Sequence, residues 1–150
     1  MAHVRSFEKT VLDQARAVAH SVVRRAAMEY VHIVQNLMRT SPATGRVYVI
    51  NGKPHRASAP GEPPAVLTGE LVKSATYEVV DTPQGPMAMA GSGLETGRAG
   101  WLEFGTTSIL PRPAWRPALP LAVKKINEII ASEGGADRVG GRVHHAGPAQ

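Results

Sequence analysis

From Ser6 to Arg39 the chain contains neither glycine nor proline, and this uninterrupted stretch is its most constraining feature. Apolar residues recur in it at steps of three and four, the period of one face of an α-helix. At about 1.5 Å per residue the helix is roughly 50 Å long, so we expect part of its apolar face to contact another subunit. Ser6 is the expected N-cap, and Pro42 is expected to end the helix. The apolar residues are Phe7, Val11, Ala15, Val18, Val22, Ala26, Tyr30, Val34 and Leu37.

A β-hairpin and an extended proline-rich arm are predicted for residues 41–69. Val47–Ile50 consists of β-formers, and Asn51-Gly52 behind it is a strong signal for a two-residue hairpin turn. The returning strand is expected at His55–Ser58. The following segment, Ala59–Pro64, is too rich in proline for helix or sheet. It predicts an extended connector, either an ordered arm or a mobile one.

A second pair of antiparallel strands is predicted in the middle of the chain. Leu71–Val80 alternates well enough for a strand, residues 81–86 contain turn-forming residues, and Met87–Ala90 forms the second run. A glycine-rich loop, Gly91–Gly100, and a short aromatic segment, Trp101–Gly105, follow. We expect the large rings of this segment to be buried, or else to anchor a neighbouring subunit.

The last periodic segment predicts a short helix from Pro117 or Ala118 to about Glu133, ended by Gly134-Gly135. The order of elements lacks the alternation of a parallel sheet, so the predicted class is α+β. A long N-terminal amphipathic helix packs on a small antiparallel sheet, with residues 1–133 as one domain and 134–150 as a flexible tail. The expected buried face of the last helix consists of Leu119, Ala122, Ile126, Ile129 and Ile130.

Composition argues against several kinds of chemistry. The chain of 150 residues has no cysteine, which excludes disulfides, thiolate nucleophiles and cysteine-ligated metals. We expect no enzyme, no cofactor and no metal site, because there is no nucleophile elbow, no carboxylate cluster and no HExxH spacing. The adjacent pair His144 and His145 gives a weak metal signal, and solvated histidines are the better interpretation. No run is long and apolar enough to span a membrane, and Met1–Lys9 does not resemble a signal peptide.

The balance of charge favours acidic partners. The net charge is +5, and residues 1–40 carry six basic and three acidic residues. Two local basic pairs, Arg24-Arg25 and Lys124-Lys125, are candidates for weak attraction to a nucleic-acid backbone, or else belong to solvated helix faces. Aromatic residues are too few to interleave as base-stacking platforms. A small basic protein that binds nucleic acid without sequence specificity is therefore one alternative, and a hydrolase is a weaker one.

Three ordered motifs between Gly45 and Leu119 resemble a known family. They are PAVLTGEL at 64–71, WLEFGTT at 101–107 and RPAWRPAL at 112–119. Together they are similar to the tail-completion proteins of tailed bacteriophages, also called neck, minor tail or head–tail joining proteins. In that family the pattern is a proline-bounded TGxL, a strand ending in an aromatic-x-EFGT element, and an RPxxRPA turn before the final helix. The chain departs from it at Leu67, where Asp is frequent, and at Glu70, where a basic residue is common.

The resemblance implies a structural virion protein, assembled in the host bacterial cytoplasm, that forms a sixfold ring and joins the tail to the head. The implied partners are further copies of the chain, a head-side connector or head-closure protein, a tail terminator or tail-tube protein, and transiently DNA in the lumen, where Arg24, Arg25, Lys124 and Lys125 are candidate contacts. No membrane is implied. The motif residues are Thr68, Gly69, Leu71, Trp101, Glu103, Phe104, Gly105, Arg112, Pro113, Trp115, Arg116 and Pro117.

Within the motifs the residue types indicate structural roles. Gly69 and Gly105 are expected to supply turn geometries that other residues avoid, and Pro117 suits the first turn of the last helix. In a strand, Glu103 lies on the opposite face from its two apolar neighbours. We expect it to pair with Arg112 or Arg116 of the following turn.

Overall fold

The computed structural model describes residues 2–136, with side chains described for 8–132. It has the predicted α+β architecture, in which a long N-terminal helix packs against a C-terminal helix and a two-stranded sheet, and a second two-stranded sheet forms a separate hairpin. The elements are α1 (Ala2–Arg39), β1 (Val47–Ile50), β2 (Lys53–Arg56), α2 (Glu70–Ser74), β3 (Ala75–Thr82), β4 (Gly85–Ser92), α3 (Arg98–Phe104) and α4 (Trp115–Ala136).

Helix α1 is longer than predicted and ends where predicted. It begins at Ala2, so Ser6 lies inside the helix and is not its N-cap. At its C-terminal end both the backbone N–H and the hydroxyl of Thr40 bond the carbonyl oxygen of Asn36, and no helical turn continues towards Pro42. Thirty-eight residues give a length of about 57 Å, which exceeds the diameter of a compact domain of this size.

The two halves of α1 have different environments. Val31, Val34 and Met38 are buried in the C-terminal half and join the main core cluster. Every side chain from residue 8 to residue 18 is exposed, including Leu12 at 69%. Part of the apolar face of α1 therefore lies outside the domain's own core, and its expected contact with another subunit stays a prediction.

The β1–β2 hairpin has the predicted turn and an earlier return strand. Asn51 and Gly52 have φ of 52° and 75°, and two successive positive φ values are the signature of the type I′ turn. The return strand is Lys53–Arg56 rather than His55–Ser58. A two-residue turn makes the flanking pair hydrogen-bonded and the next pair, Val49 and Pro54, non-hydrogen-bonded. The strand therefore tolerates Pro54, whose missing N–H is not needed in the ladder.

The predicted strand over Leu71–Val80 is wrong in its first part, where α2 forms instead. Adjacent residues of a strand point to opposite faces, yet Leu71 and Val72 both pack against the core, and a helical turn allows this. The antiparallel pair that follows is confirmed, with β3 and β4 in register from Ala75 opposite Ser92 to Thr82 opposite Gly85. Helix α1 packs against both of these strands.

The aromatic segment, for which the resemblance implies a strand, forms helix α3. On a helix Trp101 and Phe104 lie about 60° apart, and Glu103 lies on the opposite side from Trp101. Trp101 is 53% exposed and Phe104 is 70% exposed, whereas Glu103 is 5% exposed. The expectation that these two rings belong to the core is therefore wrong, and the inward-facing residue of the segment is the carboxylate.

Helix α4 starts and ends outside its predicted limits. It begins at Trp115 and continues past Gly134-Gly135 to Ala136. The predicted buried face is only partly correct: Ala122 and Ile129 are buried, and Ile126 is intermediate. Leu119 and Ile130 are half exposed, because the helix faces α1 with its small residues, including a fully buried Ala118.

The core is built largely from small side chains. Of the ten buried hydrophobic residues, five are alanine, and Val34 is the largest side chain that is fully buried. Small residues let the elements pack closely but bury little apolar area each.

Within residues 2–136, no helix is long and apolar enough to cross a membrane. The predicted tail, with His144 and His145, lies outside the described residues.

The division of α1 into a core half and an exposed half can be tested with one pair of substitutions. Val34→Ala should lower the free energy of unfolding by about 2 to 3 kcal/mol, since it removes methyl groups and leaves a cavity. Val18→Ala, at a position that is 46% exposed, should change it by less than about 0.5 kcal/mol. Urea denaturation measures both. Equal losses would contradict the assignment of the core to the C-terminal half.

Candidate functional site

The three sequence motifs meet around the start of α4. The backbone N–H of Arg112 bonds the carbonyl oxygen of Leu102, which joins the second motif to the third. Thr68 and Leu71 of the first motif line one cleft of about 210 Å³ together with Arg112 of the third motif. The first motif is therefore part of the same region. Residues far apart in sequence are thus brought into one region.

A buried carboxylate, that of Glu103, forms the centre of this region. Its Oε2 accepts hydrogen bonds from the backbone N–H groups of Ala114 (2.8 Å) and Trp115 (3.0 Å), and its Oε1 accepts one from that of Arg116 (2.8 Å). The first N–H groups of a helix have no partner within the helix, and a negative charge there is favoured by the helix dipole. Glu103 therefore caps α4 from a separate helix.

The predicted pairing of Glu103 is confirmed for Arg116 and wrong for Arg112. Arg116 donates from Nε to Oε1 of Glu103 at 3.2 Å, and its Nη2 donates to the carbonyl oxygen of the same residue. Its guanidinium also lies 5.2 Å from the centre of the Phe104 ring. Arg112 donates instead to the carbonyl oxygens of Ser58 (3.0 Å) and Leu110 (3.3 Å). Arg112 therefore links two loop segments and does not pair with the carboxylate of Glu103.

Tyr30 ties helix α1 to the same point. Its hydroxyl donates to the carbonyl oxygen of Trp115 at 2.9 Å, and the two rings meet edge to face with centroids 5.7 Å apart. Burial raises the pKa of Tyr30, and the charge of Glu103 raises it further. The tyrosine therefore remains a hydrogen-bond donor to the start of α4.

The glycines of the motifs have the expected backbone geometry. Gly69 and Gly105 have φ of 81° and 79°, in the region that favours glycine. A Cβ at Gly105 would also lie 2.8 Å from the carbonyl oxygen of Ile109 and 2.9 Å from Pro111, closer than packing allows. Gly105 thus permits the tight turn that carries the chain from α3 towards α4. Pro117 lies in the first turn of α4, as predicted.

The proline-rich segment is held to the rest of the domain by a second carboxylate, that of Glu62. Its oxygens accept hydrogen bonds from the backbone N–H groups of Ala59 (2.8 Å) and Thr44 (3.0 Å) and from the hydroxyl of Thr44. The N–H of Gly61 bonds the carbonyl oxygen of Pro111 at 2.8 Å. Of the two forms left open by the sequence, the structure has the ordered one.

The hydrogen bonds to Glu62 lower the pKa of its carboxyl group. The hydroxyl of Thr44 contributes most, followed by the N–H groups of Ala59 and Thr44. Each of these hydrogen bonds favours the charged form of the carboxyl group. The proline-rich segment is therefore held more strongly when Glu62 is ionised.

The basic pairs lie on two helices that pack together. Arg24 and Arg25 are on α1, and Lys124 and Lys125 are on α4, and all four side chains are exposed. Lys125 forms an ion pair with Glu128 at 3.1 Å. In the described part of the chain, no group of three or more His, Asp or Glu side chains is placed to hold a metal ion.

The sequence does not identify two residues of this region. Its patterns place Tyr30 only on an apolar helix face and Glu62 only in a proline-rich segment. The signal for Glu62 was a lone acidic residue between turn-forming residues, where side chains frequently cap backbone N–H groups. Its partners are 3 and 18 residues away, which a local pattern does not reveal.

No protein-family model matches the chain, and no curated protein or solved structure is significantly similar to it. The basis for a function is therefore the motif pattern together with the geometry of these residues.

The role of Glu103 is tested by removing its acceptor atoms. Glu103→Ala should lower the free energy of unfolding by about 3 kcal/mol, because it leaves buried N–H groups at the start of α4 without a partner. Glu103→Gln keeps one acceptor oxygen and should cost less. Arg116→Ala removes an exposed partner and should cost about 1 kcal/mol or less. Chemical denaturation gives all three values, and a loss for Arg116→Ala as large as for Glu103→Ala would contradict the capping role.

The Glu62 contacts predict a dependence on pH. A lowered folded-state pKa stabilises the fold above the ordinary value of 4.5, and this stabilisation is lost as the pH falls through the folded-state pKa. The protection factors of the Ala59 and Thr44 amides, which compare the intrinsic exchange rate at each pH with the observed rate, should therefore fall in acid. Glu62→Gln should lower both protection factors at neutral pH and remove their dependence on acid. Identical profiles for the variant and the wild type would exclude this contact as the cause.

Proposed function

We propose that this chain is a structural protein of a tailed-bacteriophage virion, in which it forms a ring at the neck that joins the tail to the head-side connector. It performs no chemistry in this role. The proposal is supported by the three motifs that resemble the tail-completion family, and by their clustering around the start of α4. The sixfold symmetry of the ring comes from the resemblance alone.

The observation that carries the proposal is the amount of apolar surface outside the core. Twenty large hydrophobic side chains are exposed among the described residues, against ten hydrophobic residues that are buried. Most of them lie on the exposed part of α1 at residues 8–18, here called the free half of α1, on β1, on α3 with its following loop, and on α4. The others include Val66, Leu67 and, on β4, Met87 and Met89. Extensive exposed apolar surface is typical of proteins that bind other proteins, since a monomer gains little from it. A ring subunit buries such surfaces against its two neighbouring copies and against the partners on the head side and the tail side.

The β1–β2 hairpin and the free half of α1 are suited to contacts with neighbouring rings. All four residues of β1 are exposed, and Val49 is 74% exposed. Both elements extend from the core rather than forming part of it. The partners in this role are the head-closure protein on one side and the tail terminator or tail-tube protein on the other. The complex belongs to the virion and is assembled in the host cytoplasm.

The basic pairs Arg24-Arg25 and Lys124-Lys125 are proposed to face the DNA in the lumen. Contacts of this kind go to phosphates and carry no sequence information, so they let DNA move past. The rival function is a nucleic-acid-binding module that acts alone. It would require binding to DNA by the free chain, with affinity falling steeply as salt rises.

The proposal is tested by sedimentation with particles. The purified chain should bind, in a fixed stoichiometry, to tails assembled without it or to DNA-filled capsids, and should restore their joining. The double variant Leu12→Ser/Val49→Ser, at exposed positions, should keep its thermal stability and bind less.

Two results would count against the proposal. The first is a chain that binds neither tails nor capsids. The second is a chain that binds free DNA at low salt and ignores both particles, which would favour the nucleic-acid module.

A further inference from the structure

A groove on the outer side of α3 has an apolar floor and two arginines. It is lined by residues that include Tyr48, Arg98, Trp101, Leu110 and Arg112, and its volume is about 620 Å³. Leu110 is 64% exposed and Trp101 is 53% exposed. A tryptophan on an open apolar surface is a frequent anchor of protein interfaces. We call this surface the arginine groove.

The positive charge of the arginine groove is not neutralised by the domain itself. No carboxylate lines the groove. Arg98 forms no ion pair within residues 8–132, and Arg112 bonds only carbonyl oxygens. The nearby carboxylate of Glu103 is occupied by Arg116 and by the N–H groups of α4. The groove is therefore suited to an occupant that combines apolar side chains with a carboxylate.

The chain has a second uncovered surface with the opposite charge. Helix α1 covers one face of the β3–β4 sheet, where Tyr77 and Ala90 pack against the core. Side chains alternate across a sheet, so the outer face carries Glu78, Met87 and Met89. The two methionines are 47% and 49% exposed. We call this surface the strand face.

The strand face has the composition that the arginine groove requires. The strand face carries one acidic residue, Glu78, and no basic residue, since β3 and β4 contain no basic residue and Asp81 lies on the opposite face. Glu78 lies directly opposite Met89, so a carboxylate and a flexible apolar side chain are adjacent. Methionine adapts its shape to a partner surface more readily than branched side chains do.

A depression beside this pair adds to the fit. Gly91 follows two residues after Met89 on the same face, and a Cβ placed there would have no atom within 4 Å. The missing side chain leaves room beside Met89 for a bulky group of a partner.

Two other exposed apolar surfaces of the chain match the arginine groove less well. The β1–β2 hairpin carries Lys53 and Arg56, whose charge repels the two arginines. In the free half of α1, acidic and basic residues alternate between Glu8 and Arg16 and their charges cancel. This surface therefore has no net negative charge to attract the two arginines.

We propose that the strand face of one copy docks into the arginine groove of the next copy, with Glu78 meeting Arg98 and the methionines covering Trp101. This contact rests on the proposed function, because it is the contact between neighbouring subunits of the ring. The two surfaces differ, so the contact runs head to tail and generates a closed ring when the rotation between copies closes.

The proposal is tested by complementation between two variants. A groove variant, Arg98→Ser/Trp101→Ser, keeps the strand face, and a face variant, Glu78→Lys/Met89→Lys, keeps the groove. All four positions are exposed, so both variants should fold, which thermal unfolding checks. Each variant alone should be monomeric by native mass spectrometry, with self-association weakened at least about tenfold. An equimolar mixture should form one-to-one heterodimers and nothing larger, since only one intact contact remains.

The control is Asn36→Ser, an exposed polar position on α1 outside both surfaces, which should assemble like the wild type. Assembly of either double variant to the wild-type size, or a mixture without heterodimers, overturns the proposed contact. A wild-type chain that is monomeric at its highest soluble concentration but binds tails or capsids also overturns it, and leaves the neck function standing. A wild-type chain that neither assembles nor binds particles rejects both.

Discussion

The hydrogen bonds of one buried carboxylate organise the part of the molecule that carries its motifs. Glu103 reaches from α3 to the first turn of α4, and with Arg116 it fixes the angle between the two helices. Ala114, held by the same carboxylate, then lies in the core beside α1, and Tyr30 bonds the next carbonyl group. A buried charge of this kind is retained only where each acceptor position is used. With the carboxylate turned inward, the rings of α3 are left on the outside.

The consequence for the whole chain is an uneven distribution of side-chain size. Alanines and Val34 fill the contact between α1 and α4, while larger residues such as Leu12, Trp101 and Leu110 remain exposed. A domain that buries few large side chains gains limited stability from its own core. Assembly into the proposed ring would supply further burial, and this is the physical reason for proposing a ring subunit rather than an independent binding module.

The parts of the fold that could be predicted are those specified by local patterns. The α+β class, the end of α1, and the turn at Asn51-Gly52 follow from helical periodicity and turn chemistry. A strand is predicted around Val72 from the residue pattern and around Trp101 from the resemblance, but both segments form short helices. Five to seven residues are too few for periodicity to distinguish helix from strand. For the site, the pairing with Arg116 was predictable from opposite charges a short turn apart. The capping by Glu103 and the exposure of Trp101 depend on tertiary packing, which no local pattern contains.

The proposed ring requires that the exposed apolar surfaces are subunit contacts. The most direct test is the mass of the purified chain by light scattering over a range of concentrations. We expect a discrete closed oligomer that stops growing at a fixed number of copies, because a ring leaves no open end. A strictly monomeric chain at every concentration, with no binding to tails or capsids, would contradict the account.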